Sequence, residues 1–522
     1  MIKKNSPHWG IWVLCSIGIC FVTIFVYYIT TTEIFIRNSF QNLERIAFAA
    51  LNPRFNNETL KNIMVGYQNT ILFSSVGLCV GVYMGLFLSY FSVRFRRLRI
   101  GKVIGIFFRS SHEVVLVYIF MLIFGLNPYI AILAIGVSFG GIMGKIFTDN
   151  MNLIDNKVFY AYKNRAYNYR ANFFFNLFPV SFNSNLNYII YRYECAIRSS
   201  IVLSYVGLPG IGFYINISLN DGDYNALFAY IYSLVVFVLF FSILTTFLLK
   251  KIQYKLAALL KVFIPLSFVL CMGFIALHNN EFWGLFHGKN VSGLIRSYYA
   301  ILDILNPFNQ DFYNAQNMAR FFRYTWQTVA LGIVATVFLL IMFALLMFHY
   351  FYGFTKSSKF HLKLNSAVSI INRSIPEVIF LTLLLFVMKP SIISGALALA
   401  LHNFGILSKL VVDRIASDYN KVFRAYKNRG YTCLTMFFFV FLPVLSRDLV
   451  SLVSYRFEMM IKGSVVIGIL GSGGLGYLLR LEMSRFNFKA IFFIVFLYVA
   501  LFLVLDRISE AVSYGSLDNG CA

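Results

Sequence analysis

Residues 192–212 read RYECAIRSSIVLSYVGLPGIG, and residues 456–476 read RFEMMIKGSVVIGILGSGGLG. The two stretches align without a gap, at a spacing of 264 residues from Arg192 to Arg456. Each has an arginine two places before a glutamate, continues as an apolar run and ends in a cluster of glycines. A repeat of this length indicates that the chain carries two copies of one structural unit.

Other motifs recur along the chain at the same spacing. They are Ala161-Tyr-Lys-Asn-Arg165 with Ala425-Tyr-Lys-Asn-Arg429, Arg109 and Glu113 with Arg373 and Glu377, and Pro179 with Pro443. Matches this far apart do not keep one spacing by chance, so the chain is predicted to be a tandem duplication. We place the first repeat at residues 1–255 and the second at residues 256–522.

The composition is typical of a membrane protein. Of the 522 residues, 59% are apolar and only 13% are charged, which argues against a water-soluble enzyme. The stretches that are long enough to cross a bilayer lie near 10–29, 67–92, 104–124, 128–147, 182–206, 226–249, 262–278, 326–350, 367–388, 390–411, 446–470 and 489–507. We therefore predict an all-α polytopic membrane protein. Its roughly twelve transmembrane helices form two parallel six-helix repeats, related by an axis along the membrane normal.

The excess of basic residues is explained by membrane topology. The chain has 45 Lys and Arg against 21 Asp and Glu, a net charge of +24, and the cations lie between the apolar runs. Loops at 94–102, 250–255 and 356–363 are rich in Lys and Arg, whereas 125–128 and 209–225 have none. The positive-inside rule then places both termini in the cytoplasm, and no nucleic-acid partner is expected.

No cofactor, metal ion or catalytic centre is predicted. The seven cysteines include no CxxC pair and no set spaced with histidines for zinc. The sequence contains no HExxH motif, Ser-His-Asp order or phosphate-binding loop. Because the chain has no nucleotide site of its own, it cannot by itself supply energy for active transport.

A polar segment follows the fourth span of each repeat, at residues 148–178 and 412–442. Both segments are too polar to enter the bilayer, and a short helix lying at the cytoplasmic membrane face is predicted in each. Their motifs Ala161-x4-Ala166 and Ala425-x4-Gly430 resemble the EAA loop of ABC-importer permeases. In that family a glutamate precedes the alanine, where this chain has Tyr160 and Arg424, and a glycine stands where the first copy has Ala166.

The resemblance implies that these two segments contact a cytoplasmic ATPase. The residues expected to take part are Ala161, Lys163, Arg165, Ala166, Ala425, Lys427, Arg429 and Gly430. The stretches at 192–212 and 456–476 narrow the family further, because they resemble the signature of phosphonate-type ABC importer permeases. That signature is an Arg-Ser-Ser helix followed by Gly-x-Gly-Gly-x-Gly.

The resemblance covers both repeats, so a permease that is normally built from two identical subunits would here be a single chain. It implies a transport subunit of the bacterial inner membrane and not an enzyme. The subunit would form the path for a phosphonate or a related phosphorus oxyanion. Its implied partners are a periplasmic or extracellular solute-binding protein and two copies of a separate ATPase.

Two acid–base pairs within apolar spans are the candidate path residues. Glu194 and Arg198 are four residues apart, as are Glu458 and Lys462, so each pair shares one helix face. A lone charge at the bilayer centre costs about 2.5–3.5 kcal/mol, so such pairs must face protein or water. They either hold helices together or line the path of an anion. The complete candidate set is Arg109, Arg198, Arg373, Lys462, Glu194, Glu458, Gly207, Gly210, Gly212, Gly471, Gly473, Gly474 and Gly476.

Several alternatives stay open from the sequence. The glycines fit a helix end and turn as well as they fit a gate. The cargo could be phosphite, phosphate, a phosphate ester or methionine. The chain could instead be a secondary transporter that works without an ATPase, because some of these also have parallel repeats. It could also be a membrane scaffold that transports nothing, which the altered EAA loops would suit.

Overall fold

The computed structural model describes residues 8–36, 39–94, 112–152, 173–251 and 314–518, together with a few isolated residues between 273 and 302. Within these ranges the chain is helical, and the only β-type pairing is an isolated antiparallel bridge between Phe35 and Met388. The prediction of an all-α protein is confirmed.

The described residues before 252 form eight α-helices. They are α1 (His8–Thr31), α2 (Ser39–Leu51), α3 (Asn57–Arg94), α4 (Glu113–Phe124), α5 (Pro128–Asn152), α6 (Phe178–Tyr205), α7 (Ile211–Asn220) and α8 (Tyr224–Lys251). A π-helical turn, Phe173–Leu177, leads into α6.

Eight further helices of eight or more residues lie in the described part after residue 313, in addition to the single turn Cys433–Thr435. They are α9 (Ala315–Thr355), α10 (Lys359–Ser374), α11 (Glu377–Leu384), α12 (Ile392–Ser417), α13 (Asn420–Asn428), α14 (Leu442–Ile467), α15 (Gly474–Ser484) and α16 (Phe488–Asp518). A π-helical turn at Met436–Phe441 precedes α14, just as one precedes α6.

Helix boundaries reproduce the sequence repeat. Helices α4, α5, α6 and α8 begin 264 residues before α11, α12, α14 and α16, respectively. Helix α7 likewise corresponds to α15. The duplication read from the sequence is therefore matched by equivalent helices, although the two halves share few identical residues.

Six of the described helices are long and apolar enough to cross a membrane, or up to eight if each bent helix pair is one span. All predicted spans coincide at least in part with a described helix, except the one at 262–278, where only residue 273 is described. The predicted span at 367–388 is not one straight helix. It breaks between α10 and α11 with a bend of 91°, because Pro376 has no N–H to continue the helical hydrogen bonding.

Contacts divide the chain into two compact units. The first unit consists of Ala47–Phe312 with Glu482–Leu503, and the second consists of Tyr313–Leu481 with Met1–Ile46 and Val504–Ala522. Helix α1 therefore belongs to the unit that is built mainly from the second repeat. The predicted boundary between the repeats, at residues 255 and 256, lies outside the described residues and stays a prediction.

In the first unit, α3 packs closely against α5 through two rows of glycines. The rows are Gly77, Gly81 and Gly85 on α3, and Gly136, Gly140 and Gly144 on α5. A Cβ added at Gly81 would lie 3.3 Å from the backbone nitrogen of Gly140 and 3.3 Å from the carbonyl oxygen of Gly136. Small residues at every fourth position allow two membrane helices to approach this closely.

In the second unit, α1 packs against the helices that carry the candidate site. The ring of Phe25 lies 4.9 Å from that of Phe338 on α9, and the ring of Phe21 lies 5.6 Å from that of Phe457 on α14. After α1, the backbone nitrogen of Ile36 donates to the carbonyl of Val387. The first span thus supports the helix that contains Glu458 and Lys462.

Candidate functional site

Arg198 and Glu194 form an ion pair on α6 in the first unit. The Arg198 guanidinium donates to Oε1 of Glu194, one helical turn earlier. The two side chains are only 16% and 10% exposed. The neighbouring Ser199 hydroxyl donates to Oε1 of Glu113, the first residue of α4.

Lys462 and Glu458 form the equivalent pair on α14 in the second unit. The Lys462 ammonium nitrogen lies 2.7 Å from Oε1 of Glu458, and the side chains are 13% and 7% exposed. Each unit therefore holds a nearly buried cation whose charge is balanced on its own helix. The pairing predicted from the four-residue spacing is confirmed for both helices.

Each pair has no net charge, and this determines how strongly it can bind an anion. Taking an unpaired ion out of water costs several kcal/mol, and a partner one turn away offsets much of that cost. A balanced pair holds an anion only weakly, and weak binding suits a transport path because the cargo must also leave. The geometry is compatible with both hypotheses from the sequence, a helix staple and a path lining.

Glu113 and Glu377 occupy the first positions of α4 and α11, and a histidine lies beside each. Nδ1 of His112 lies 3.6 Å from Oε2 of Glu113, and Nε2 of His402 lies 3.8 Å from Oε2 of Glu377. The two imidazoles come from different places in the repeat. His112 directly precedes α4, whereas His402 belongs to α12.

Sequence comparison of the repeats missed His402. The residue that matches His112 in the second repeat is Pro376, which suggested that no imidazole recurs. The position that matches His402 in the first repeat is Ser138. The sequence could have pointed to His402 only through this difference between the repeats.

The remaining predicted basic residues are Arg109 and Arg373. Arg373 lies in the last turn of α10, next to the bend before α11. Arg109 lies outside the described residues.

The glycine clusters form a sharp turn after each long helix. Gly207, Gly471, Gly473 and Gly474 all have positive φ angles, between 74° and 113°, which other residues rarely adopt. The short helices α7 and α15 then fold back onto α6 and α14. Gly212 and Gly476 lie at matching points of these helices, and Gly210 is the N-cap of α7.

The first amides of α7 and α15 already have side-chain partners. The backbone nitrogen of Ile211 donates to Oγ1 of Thr70, at 3.2 Å. The backbone nitrogen of Leu475 donates to Oγ1 of Thr328, at 2.8 Å, and that of Gly474 donates to Oε1 of Gln327, at 3.2 Å. The start of α7 is therefore anchored to α3, and the start of α15 is anchored to α9.

We expect replacement of Gly476 by Ala to destabilise the protein by about 1–3 kcal/mol, because the added Cβ has no room. It would lie 2.2 Å from the carbonyl oxygen of Val465, and the backbone would have to shift. The measurement is thermal unfolding of the detergent-purified protein. The control is Gly18→Ala on α1, where an added Cβ meets nothing within 4 Å. Equal unfolding temperatures for the two variants would contradict the prediction.

In the second repeat, the predicted cytoplasmic segment contains the short helix α13. Its buried Phe423 packs against Phe351 of α9, with ring centroids 5.5 Å apart. Lys427 donates to Oγ of Ser357 at 2.5 Å and lies 5.1 Å from the ring of Phe354. The prediction of a short helix is confirmed for this copy.

The outer face of α13 is basic and exposed. Arg424, Ala425 and Arg429 are exposed, and Gly430 ends the helix with a φ of 79°. The matching residues of the first copy lie outside the described residues. They are Ala161, Lys163, Arg165 and Ala166.

The repeated apolar helices, with a balanced charge pair in each repeat, define a polytopic membrane protein. The chain belongs to the family described as binding-protein-dependent transport system inner membrane component. The family model matches residues 77–257 and 353–514, one segment in each repeat. The resemblance found in the sequence is thereby confirmed. The chain is the membrane-embedded transport subunit of an importer of the inner membrane, a class that works with a solute-binding protein and a separate ATPase.

Proteins similar to this chain are named as permeases, in agreement with this class. The chain is 23% identical over 431 residues to the phosphate-import permease protein PhnE of Mycolicibacterium smegmatis, covering 78% of this chain and 76% of the relative. It is 28% identical over 114 residues to the putative cryptic phosphonate transport system permease protein PhnE2 of Escherichia coli, covering 22% of this chain and 93% of the relative. A solved structure of the MetNI methionine ABC transporter aligns with 38% of this chain and 99% of its own chain, at 20% identity and a TM-score of 0.34.

Proposed function

We propose that the chain forms the translocation path for a phosphorus oxyanion, such as a phosphonate, phosphate or phosphite. The observation that carries the proposal is the similarity to permeases named for these anions, one of which matches over 78% of the chain. A nearly buried cation in each repeat, Arg198 and Lys462, supplies the sign of charge that such a cargo requires.

The path residues of this proposal are the two cations, the carboxylates that balance them, and Arg109 and Arg373. Of the last two, Arg373 lies beside the bend between α10 and α11. The glycine turns shape the ends of α6 and α14, nine residues beyond Arg198 and Lys462. Lining by neutral pairs keeps the anion from binding tightly at any one point.

We further propose that one copy of this chain replaces two permease subunits. Each repeat carries its own cytoplasmic segment, at 148–178 and 412–442, and each segment would receive one ATPase. The exposed basic face of α13 supports this role for the second segment. Both termini then lie on the cytoplasmic side, as the distribution of Lys and Arg predicts.

Native mass measurement of the detergent-purified complex tests the stoichiometry. The chain is coexpressed with the ATPase and the binding protein from its own operon. We expect one copy of the chain with two ATPases, and a complex containing two copies of the chain would overturn the proposal of a fused pair.

Uptake by the same complex in liposomes tests the cargo. We expect ATP-dependent uptake of radiolabelled phosphate, phosphite or methylphosphonate when the binding protein is present. Uptake of none of the three, with ATP hydrolysis intact, would overturn the proposed cargo. Uptake without ATP would favour a secondary carrier, and the absence of both uptake and hydrolysis would favour a scaffold.

A further inference from the structure

The two repeats hold an equivalent, nearly buried glutamate in different ways, although a histidine lies beside each. In the first unit, Glu113 accepts a hydrogen bond from the hydroxyl of Ser199, the residue directly after Arg198. The residue that matches Ser199 in the second repeat is Gly463, which directly follows Lys462 and has no hydroxyl to donate.

Gly463 nevertheless lies beside the matching glutamate. A Cβ built at Gly463 would be 3.6 Å from Oε1 of Glu377. Helix α11 thus packs against α14 as α4 packs against α6. The difference is that α14 has no hydroxyl at position 463 to donate to the glutamate. A nearly buried carboxylate without a donor is costly, so another group must serve Glu377.

His402 is placed to serve as that group. Its Nδ1 lies 2.8 Å from the carbonyl oxygen of Ile375, so Nδ1 must carry a proton and donate it. The opposite nitrogen, Nε2, lies 3.8 Å from Oε2 of Glu377, an ion-pair distance. To serve this carboxylate, Nε2 must carry a proton as well, so the proposed partner of Glu377 is the imidazolium form of His402. One imidazole on α12 thus bridges the backbone just before the break at Pro376 and the carboxylate just after it.

We propose that Glu113 and Glu377 are positioning residues for the transport cations, and that His402 has taken over in the second repeat the role that Ser199 has in the first. Each glutamate lies at the start of a short helix and contacts the turn of α6 or α14 that follows the cation. When its partner fixes this carboxylate, the start of α4 or α11 stays packed against that turn of α6 or α14. The position of Arg198 or Lys462, one residue earlier on the same helix, is thereby fixed in the proposed path. The proposal rests on the proposed function in that these cations line the path.

The proposal is tested by exchanging the partner of the glutamate between the repeats, a histidine in the second and a serine hydroxyl in the first. His402→Ser gives the second repeat the residue of the first, Ser138, and should lower uptake about tenfold because Glu377 loses its partner. Adding Gly463→Ser places a hydroxyl beside Glu377 and should restore uptake to within about threefold of the wild type. The new Cβ would lie 2.9 Å from Cδ2 of Leu399, a side-chain end that can move.

The reverse exchange is made in the first repeat. Ser199→Gly should lower uptake by a similar factor, and Ser138→His in the same chain should restore part of it. A merely structural histidine would give a different result. In that case His402→Ser would lower the unfolding temperature and the yield, and a hydroxyl on α14 would repair neither.

ATP hydrolysis stimulated by the binding protein is measured on the same variants. This second readout distinguishes a wrong cargo from a wrong role for His402. If the wild type moves no phosphorus oxyanion, the loss and rescue are still read from hydrolysis. The inference is overturned if His402→Ser leaves both uptake and stimulated hydrolysis unchanged, or if Gly463→Ser rescues neither.

Discussion

Replacing Arg198 and Lys462 together by Gln is expected to abolish uptake while the complex still assembles with its ATPase. The two side chains are the repeat-equivalent, nearly buried cations on α6 and α14. Glutamine keeps hydrogen-bonding groups but removes the charge that attracts an anion. The measurements are uptake by the complex in liposomes and thermal unfolding of the same preparation.

A second variant separates a transport role from a staple. Removing one partner of a buried ion pair costs about 3–5 kcal/mol, because the other charge is left without compensation. Changing Glu194 and Glu458 to Gln as well removes both charges of each pair, so no uncompensated charge remains. If the pairs only hold helices together, this fourfold variant recovers stability and uptake. If the cations line the path, it recovers stability alone.

Replacing Phe423 by Ala is expected to uncouple the ATPase from the chain. Phe423 is the fully buried residue of α13, and it packs against Phe351 in the core of the second unit. Loss of a buried phenylalanine costs about 3–5 kcal/mol. A polar helix of nine residues does not hold its shape alone in water, so α13 should come away from α9.

The measurements are copurification of the ATPase and its stimulation by the binding protein, both of which should fall at least about tenfold. Val422→Ala is the matched control, because the neighbouring side chain is 38% exposed and its truncation should change stability by less than about 0.5 kcal/mol. Full ATPase recovery with Phe423→Ala would show that α13 is not the coupling element.

Phe423 also shows the limit of reading the coupling segment from the sequence. The Ala425-x4-Gly430 motif located the segment, and a short helix was predicted there. The residue that anchors the helix was not singled out, because one phenylalanine in a chain with 58 of them carries no signal of its own. Its role depends on Phe351, which lies 72 residues earlier in the chain and meets it only in the folded protein.

The glycine clusters were found from the sequence, but their geometry was not. A run of glycines indicates a turn or a close approach, without saying which glycine does which. In the structure, Gly471, Gly473 and Gly474 take the positive φ angles, whereas Gly476 makes room for the carbonyl of Val465. The turn is closed by Thr328 of α9.

Span positions, the duplication and the pairing of Glu458 with Lys462 follow from the sequence, because each depends on composition or on spacing within one helix. Lipid selects apolar stretches of a given length, and a helix brings residues four apart onto one face. Contacts between helices cannot be read this way. The packing of α12 against α10 and α11 brings His402 to Glu377, where the repeat pattern offered only Pro376. Because a side chain in a bundle meets whatever the neighbouring helix presents, only the tertiary structure decided which residues hold the two glutamates.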